Sequence, residues 1–178
     1  MTMVSAFHNR PKGIIAVLDT SILVRAWRSP TGVPNTSRRV MLLAGVGYDS
    51  FTSPAILGEV AEVLARPRFG AAPSRVYVWL DAFVRASRQV FPESIPVDNP
   101  AAVGGDHDDL PILKTAYAAI AAATEYPLIV EEARRGDGLF LVSENTRHIV
   151  PGRNAYGFEF VRAHQFLDLL LSRGSTDD

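Results

Sequence analysis

The apolar run Ile14-Ile15-Ala16-Val17-Leu18 ends directly on Asp19. A run this rich in β-branched residues reads as a strand buried on both faces, the habit of parallel sheets. Residues 20 to 28 then continue as a helix, with Ile22, Leu23, Ala26 and Trp27 at helical spacing. A strand feeding a helix is the first half of a βαβ unit and commits the chain to an α/β architecture. In open α/β sheets the carboxyl ends of the strands line the ligand crevice, and Asp19 stands at such an end. A lone Asp at a strand-to-helix turn also serves as a helix cap, so this position by itself leaves two roles open.

The rest of the chain repeats the alternation. A second helix is predicted over about 34 to 44, opening with Pro34 at its first position, and a short strand over 48 to 53. Ser53-Pro54 supplies a cap and a first-turn proline for a helix over 54 to 65, which stops at Arg66-Pro67. An amphipathic helix over 73 to 90 and a short strand over 95 to 97 lead to a Gly104-Gly105 loop. Asp108 reads as the cap of a long helix through Ile112, Leu113, Ala116 and Ile120, and residues 125 to 136 as a helical extension. Leu139 to Val142 is a second buried strand, 157 to 161 a last strand and 163 to 172 a closing helix. Strands alternating with helices imply a parallel sheet covered on both faces.

Bulk properties bound the class. With 178 residues the chain makes one domain, expected over 13 to 173, with a frayed leader (1 to 12) and tail (174 to 178). An apolar fraction of 47% and a charged fraction of 21% are those of a soluble globular protein. No apolar run reaches a membrane span, the amino terminus lacks the apolar core of a signal peptide, and no cysteine is present; the expected location is cytoplasmic. The net charge of −1 sets up no global attraction to nucleic acid. Of the basic residues 16 are Arg and 2 are Lys. Arg25/Arg28, Arg38/Arg39 and Arg66/Arg68 either line a nucleic-acid groove or are solvated surface charges.

Acidic residues carry the chemistry. Glu59 lies on a mainly apolar helix, where it is either an exposed position or a site residue. Asp106, Asp108 and Asp109 crowd one helix start, although a cap needs a single carboxylate. Like charges packed this way are best explained by a cation. Asp109 is placed in the first helical turn, ahead of Pro111, and Leu113 one turn on faces the core. At the end of the strand Leu139 to Val142, Ser143, Glu144 and Asn145 repeat the logic of Asp19. Asn145 offers a neutral oxygen; Ser143 either fixes a neighbouring carboxylate or caps a short turn over 145 to 149. Oxygen ligands without cysteine or a histidine cluster suit Mg²⁺ or Mn²⁺ rather than zinc.

These segments resemble the PIN-domain nucleases, especially the VapC-like branch of toxins from toxin–antitoxin systems. Val17-Leu18-Asp19-Thr20-Ser21-Ile22-Leu23-Val24 looks like that family's opening strand and first acidic motif. Ser53 to Val60, followed by Val63-Leu64-Ala65-Arg66-Pro67-Arg68-Phe69, looks like its second. The helix from Asp109 is similar to its third, and Leu141 to Ile149 resembles its fourth in an Asn variant. The resemblance spans most of residues 14 to 171. It implies a three-layer α/β/α sandwich around a mainly parallel sheet. It also implies Asp19, Glu59 and Asp109 as the acidic core, Asn145 at the fourth position, Ser143 in support, and Asp106 or Asp108 as additional metal ligands. Two departures stand out: an extra segment near 120 to 136, and Asn145 where a carboxylate is usual, which weakens a second metal position.

The activity so implied is Mg²⁺- or Mn²⁺-dependent hydrolysis of single-stranded RNA, in a homodimer held inactive by an antitoxin. The segment 125 to 136 is a candidate partner surface. Two other roles use the same fold: an RNA-processing nuclease outside any toxin system, and a catalytically inactive RNA- or protein-binding module. A phosphatase working through an aspartyl phosphate would want Asp-x-Asp after the first strand, and residue 21 is Ser.

Overall fold

The computed structural model describes residues 13–30, 32–92, 107–122, 138–145, 152–153 and 157–174. Its strands are β1 (Ile15–Leu18), β2 (Asp49–Thr52), β3 (Ser87–Gln89), β4 (Leu139–Val142), β5 (Gly152–Arg153) and β6 (Glu159–Val161). Its helices are α1 (Thr20–Trp27), α2 (Thr36–Leu42), α3 (Pro54–Ala65), α4 (Pro73–Arg85), α5 (Leu110–Ala121) and α6 (Ala163–Gly174). Single 3-10 turns occupy Pro67–Phe69 and His107–Asp109.

The strands form one sheet in the order β3-β2-β1-β4-β6-β5. Every neighbouring pair is parallel except the edge pair β5 and β6. All four residues of β1 and of β4 are buried. Because successive side chains of a strand point to opposite faces, both faces of the sheet centre are covered by helices. The result is the expected three-layer α/β arrangement. From β1 the chain builds outward to β2 and β3 on one side, then returns to place β4 on the other. That reversal opens a crevice at the carboxyl ends of β1 and β4, the usual ligand position in such sheets. Below it the core is closed by a ring cluster. Phe166 of α6 meets Tyr48 and Phe140 at centroid distances of 5.1 and 5.4 Å.

Several predicted boundaries shift. Pro34 does not open α2; Asn35 does, its side chain accepting a hydrogen bond from the Arg38 amide at 2.9 Å. The helix predicted to run to residue 90 ends at Arg85, and Ser87–Gln89 instead pairs with Ser50–Thr52 as β3. The last strand begins at Glu159 rather than 157, since Gly157 takes a φ of 82°, outside the extended region. Asp109, not Asp108, is the cap residue of α5, with Pro111 in the first turn as expected. Asp109 thus precedes the first helical turn instead of lying in it, because the 3-10 turn His107–Asp109 leads into the helix. The predicted strand 95 to 97, the helix 125 to 136, most of the turn 145 to 149, and the leader and most of the tail lie outside the described residues.

Candidate active site

Sheet register fixes the centre of the site. Leu18 of β1 stands opposite Val142 of β4, so the next residues, Asp19 and Ser143, emerge together above the sheet. The backbone stays tied through this point: the Asp19 amide donates to the Val142 carbonyl at 2.9 Å and the Ser143 amide to the Val161 carbonyl at 3.0 Å. Asp19 is the cap residue of α1 by position, but its carboxylate caps nothing. Instead Oδ2 accepts two hydroxyl protons, from Ser21 at 2.6 Å and from Ser143 at 2.7 Å. Two neutral donors fix the orientation of the carboxylate without neutralising it. Among the described residues Oδ1 takes no hydrogen bond.

Both hydroxyls are themselves held. Ser21 Oγ accepts the Glu144 amide at 3.1 Å, and Ser143 Oγ accepts the Asn145 amide at 2.9 Å. Ser143 is buried. Its side chain makes both kinds of contact expected of it: it orients the Asp19 carboxylate and accepts the amide two residues on, as a cap does.

Glu59 reaches the same crevice from the middle of α3. Its Oε2 accepts a proton from Thr20 Oγ1 at 2.8 Å, which links α3 to the start of α1. The Glu59 carboxyl is pushed above its ordinary range, first by loss of solvent around it. The Thr20 hydrogen bond works in the opposite direction, and the charges of Asp19, Asp108 and Asp109 add to the rise. The residue as a whole is exposed, so the shift reflects the local surroundings of the carboxyl end. The carboxylates of Asp19, Asp108 and Asp109 thus share one electrostatic field with Glu59.

Asp109 is buried and Asp108 exposed. Their helix is pinned to α3 from within. Thr115 Oγ1 donates to the Pro111 carbonyl at 2.7 Å, so the Ser53 hydroxyl, 2.7 Å away, donates to Thr115. Ser53 Oγ also accepts the Ile56 amide at 3.4 Å as the cap of α3. Asp106 lies outside the described residues. Asn145 is half-buried at the end of β4. Among the described residues no three acidic or histidine side chains stand close enough together to cage a metal ion.

Glu144 has a different occupation. Its Oε1 accepts the Ala163 amide at the start of α6 at 3.3 Å, and its Oε2 lies 3.6 Å from Arg25. It clamps β4, α1 and α6 together at the rim. Thr20 and Ser21 were not singled out in the sequence, though their hydroxyls directly follow Asp19 in the first turn of α1. That adjacency was the available signal.

A family model described as PIN domain matches residues 16–124, more than half of the chain. The match contains Asp19, Glu59 and the Asp106 to Asp109 cluster, and ends before Ser143 and Asn145. No curated protein matches the chain closely. The crevice at the strand reversal and the matched residues lead to one assignment: the chain belongs to the PIN-domain family, whose members are generally metal-dependent nucleases.

Proposed function

We propose that this chain is a Mg²⁺- or Mn²⁺-dependent endoribonuclease of single-stranded RNA and the toxin of a type II toxin–antitoxin pair. The observation that carries the nuclease reading is the Asp19 carboxylate, anchored by Ser21 and Ser143 at the sheet's reversal point beside Glu59. The donor set fits a hard divalent cation in its chemistry. It is oxygen only, and the charges of Asp19, Asp108 and Asp109 all act on Glu59. Asp19, Glu59 and Asp109 would hold the ion, with Asp106 or Asp108 adding to them and Asn145 as a neutral neighbour. A bound divalent cation lowers the pKa of an attacking water and stabilises the leaving oxygen of a phosphodiester.

The chain's own side chains perform the remaining tasks. Ser21 and Ser143 keep Asp19 in one orientation, and Thr20 does the same for Glu59. Glu59, held by Thr20 near Asp19, would serve either as a ligand of the ion or to orient the attacking water. The toxin role rests on the likeness of residues 17 to 24 and 53 to 69 to the VapC-like branch. With it come a homodimer, a cytoplasmic location and an antitoxin that covers the crevice. No helix among the described residues is long and apolar enough to cross a membrane. One observation favours a second reading, a binding module without catalysis: the described carboxylates do not close into a cage.

The deciding experiment is cleavage of mixed single-stranded RNA with Mg²⁺, Mn²⁺ or EDTA, comparing wild type with Asp19→Asn and Asp109→Asn. Metal-dependent cleavage lost in both variants is the expected result. Calorimetry that finds no Mn²⁺ binding to wild type would sink the catalytic reading and leave the binding module. For the toxin role, induced wild type halts growth of its host while Asp19→Asn does not; unaffected growth with an active nuclease points to RNA processing instead.

A further inference from the structure

One surface of the molecule interleaves rings and guanidinium groups, and the site described above leaves it unused. Trp27 at the end of α1 and Trp79 in α4 meet edge to face, with ring centroids 5.5 Å apart. The Arg75 guanidinium carbon lies 5.8 Å from the centre of the Trp27 ring. The next residue along from Trp27, Arg28, lies over Phe69 at 6.0 Å, and Arg68 approaches the same ring at 4.9 Å. Trp27 and Arg28 therefore join the two clusters into one continuous patch. All three rings are half-exposed and all three Arg residues are exposed.

Charge and space on this patch are both available. Among the described residues the ion pairs are Arg25 with Glu144, Arg85 with Asp81 and Arg88 with Asp49. None involves Arg28, Arg68 or Arg75, whose charges are left for an outside anion. An open recess of about 570 Å³, lined by Trp27, Ser74, Arg75, Val78, Trp79 and Ala82, lies against the tryptophan pair. That volume is in the range of small-ligand sites, ample for a nucleobase.

Its position relates the patch to the carboxylates. Thr20 at the start of α1 holds Glu59 in mid-α3, while Arg28 just past the end of α1 meets Phe69 just past the end of α3. The two helices thus run side by side in the same direction from the acidic crevice to the patch. Along α1, Trp27 stands roughly 12 Å from Asp19 at about 1.5 Å per residue, within reach of one strand spanning both.

We propose that Trp27, Phe69 and Trp79, with Arg28, Arg68 and Arg75, form a stacking platform for the bases and phosphates of single-stranded RNA next to the acidic crevice. The proposal rests on the ribonuclease reading for the identity of its ligand. Rings take bases of any sequence, because every base has a π face, and guanidinium groups fork phosphates or stack on bases. The platform supplies binding energy to RNA nucleotides away from the scissile bond.

The chain's 2 tryptophans both lie in this patch, so tryptophan fluorescence, excited at wavelengths that tyrosine does not absorb, reports on the platform alone. The test titrates the full chain in EDTA with a short oligouridylate, and in parallel with polyglutamate. Saturable quenching by oligouridylate is expected, with little response to polyglutamate. Phe69→Ala and Arg68→Gln, each checked for native circular dichroism, weaken binding about tenfold. Arg68→Gln, exposed and outside the core, also lowers the salt dependence by close to one counterion. Unchanged affinity in Arg68→Gln and Arg75→Gln, or unquenched fluorescence while RNA binding is seen by anisotropy, overturns the platform even if cleavage is intact. Equal or stronger quenching by polyglutamate overturns it in favour of a protein partner. Quenching with no cleavage under any metal condition keeps the platform and removes the nuclease reading.

Discussion

The hydroxyls of Ser53 and Thr115 lie 2.7 Å apart in the interior and hold the first turn of α3 against the middle of α5. Glu59 lies on one of these helices and Asp109 at the start of the other, so their relative placement depends on this contact. Ser53→Ala and Thr115→Val are each expected to cost about 1–3 kcal/mol of stability, as buried hydroxyls lose a partner. The Ser53 change also removes a helix cap. In chemical denaturation the double variant should lose less than the sum of the two, by about 1 kcal/mol. Strict additivity would mean that the two hydroxyls do not cooperate.

Ser143→Ala removes one of the two protons donated to Asp19 Oδ2 and leaves that of Ser21. On the ribonuclease reading proposed above, turnover of RNA should fall about tenfold, the equivalent of about 1.4 kcal/mol in the barrier, while the fold persists. Ser143→Thr retains the hydroxyl and is expected to recover part of the loss. A Ser143→Ala variant with wild-type turnover would show that Ser21 alone suffices.

Glu59 gives the metal-free protein a pH dependence of definite sign. Its folded pKa lies above the ordinary value of 4.5, so the folded state holds this proton more tightly than the unfolded chain. Stability therefore falls as pH rises through the window between those two values, and stays lowered above it. Below the window Glu59 is protonated in both states and has no effect. Glu59→Gln should accordingly melt at a higher temperature than wild type in EDTA at neutral pH, with the difference vanishing in acid. A difference that persists unchanged in acid would trace to packing rather than charge.

Thr52, at the end of β2, is 1% exposed and its Oγ1 has no hydrogen-bond partner among the described residues. Thr52→Val replaces a buried, unsatisfied hydroxyl by a methyl of the same shape. Stability should rise by up to about 1 kcal/mol, read from the denaturation midpoint. A loss of stability would reveal a partner for this hydroxyl.

What the sequence disclosed follows from how local each signal is. β1, α3 and β4 were legible because continuous apolar runs and the Ser53-Pro54 cap are written in adjacent residues. β3 was not: Ser87-Arg88-Gln89 has neither an apolar run nor a turn before it, and it becomes a strand through pairing with β2. Asp19 and Glu59 were identified as candidates from their charge and surroundings. Their hydroxyl supports were harder to read, since the bond between Ser143 and Asp19 depends on the register of β1 against β4. Asp109 caps its helix instead of lying in the first turn, a shift of about one residue, because the preceding 3-10 turn has no distinct sequence signature.

The position of β4 beside β1 also sets when the surroundings of Asp19 can be completed during synthesis. Asp19 leaves the ribosome early, but Ser143, whose hydroxyl anchors it, lies 124 residues later. At bacterial and eukaryotic translation speeds that interval is roughly 6 to 25 s. During it a nascent chain carries its first acidic residue without the strand that completes the crevice. The last support of the first acidic residue is thus a late event in synthesis, although the two lie side by side in the finished sheet.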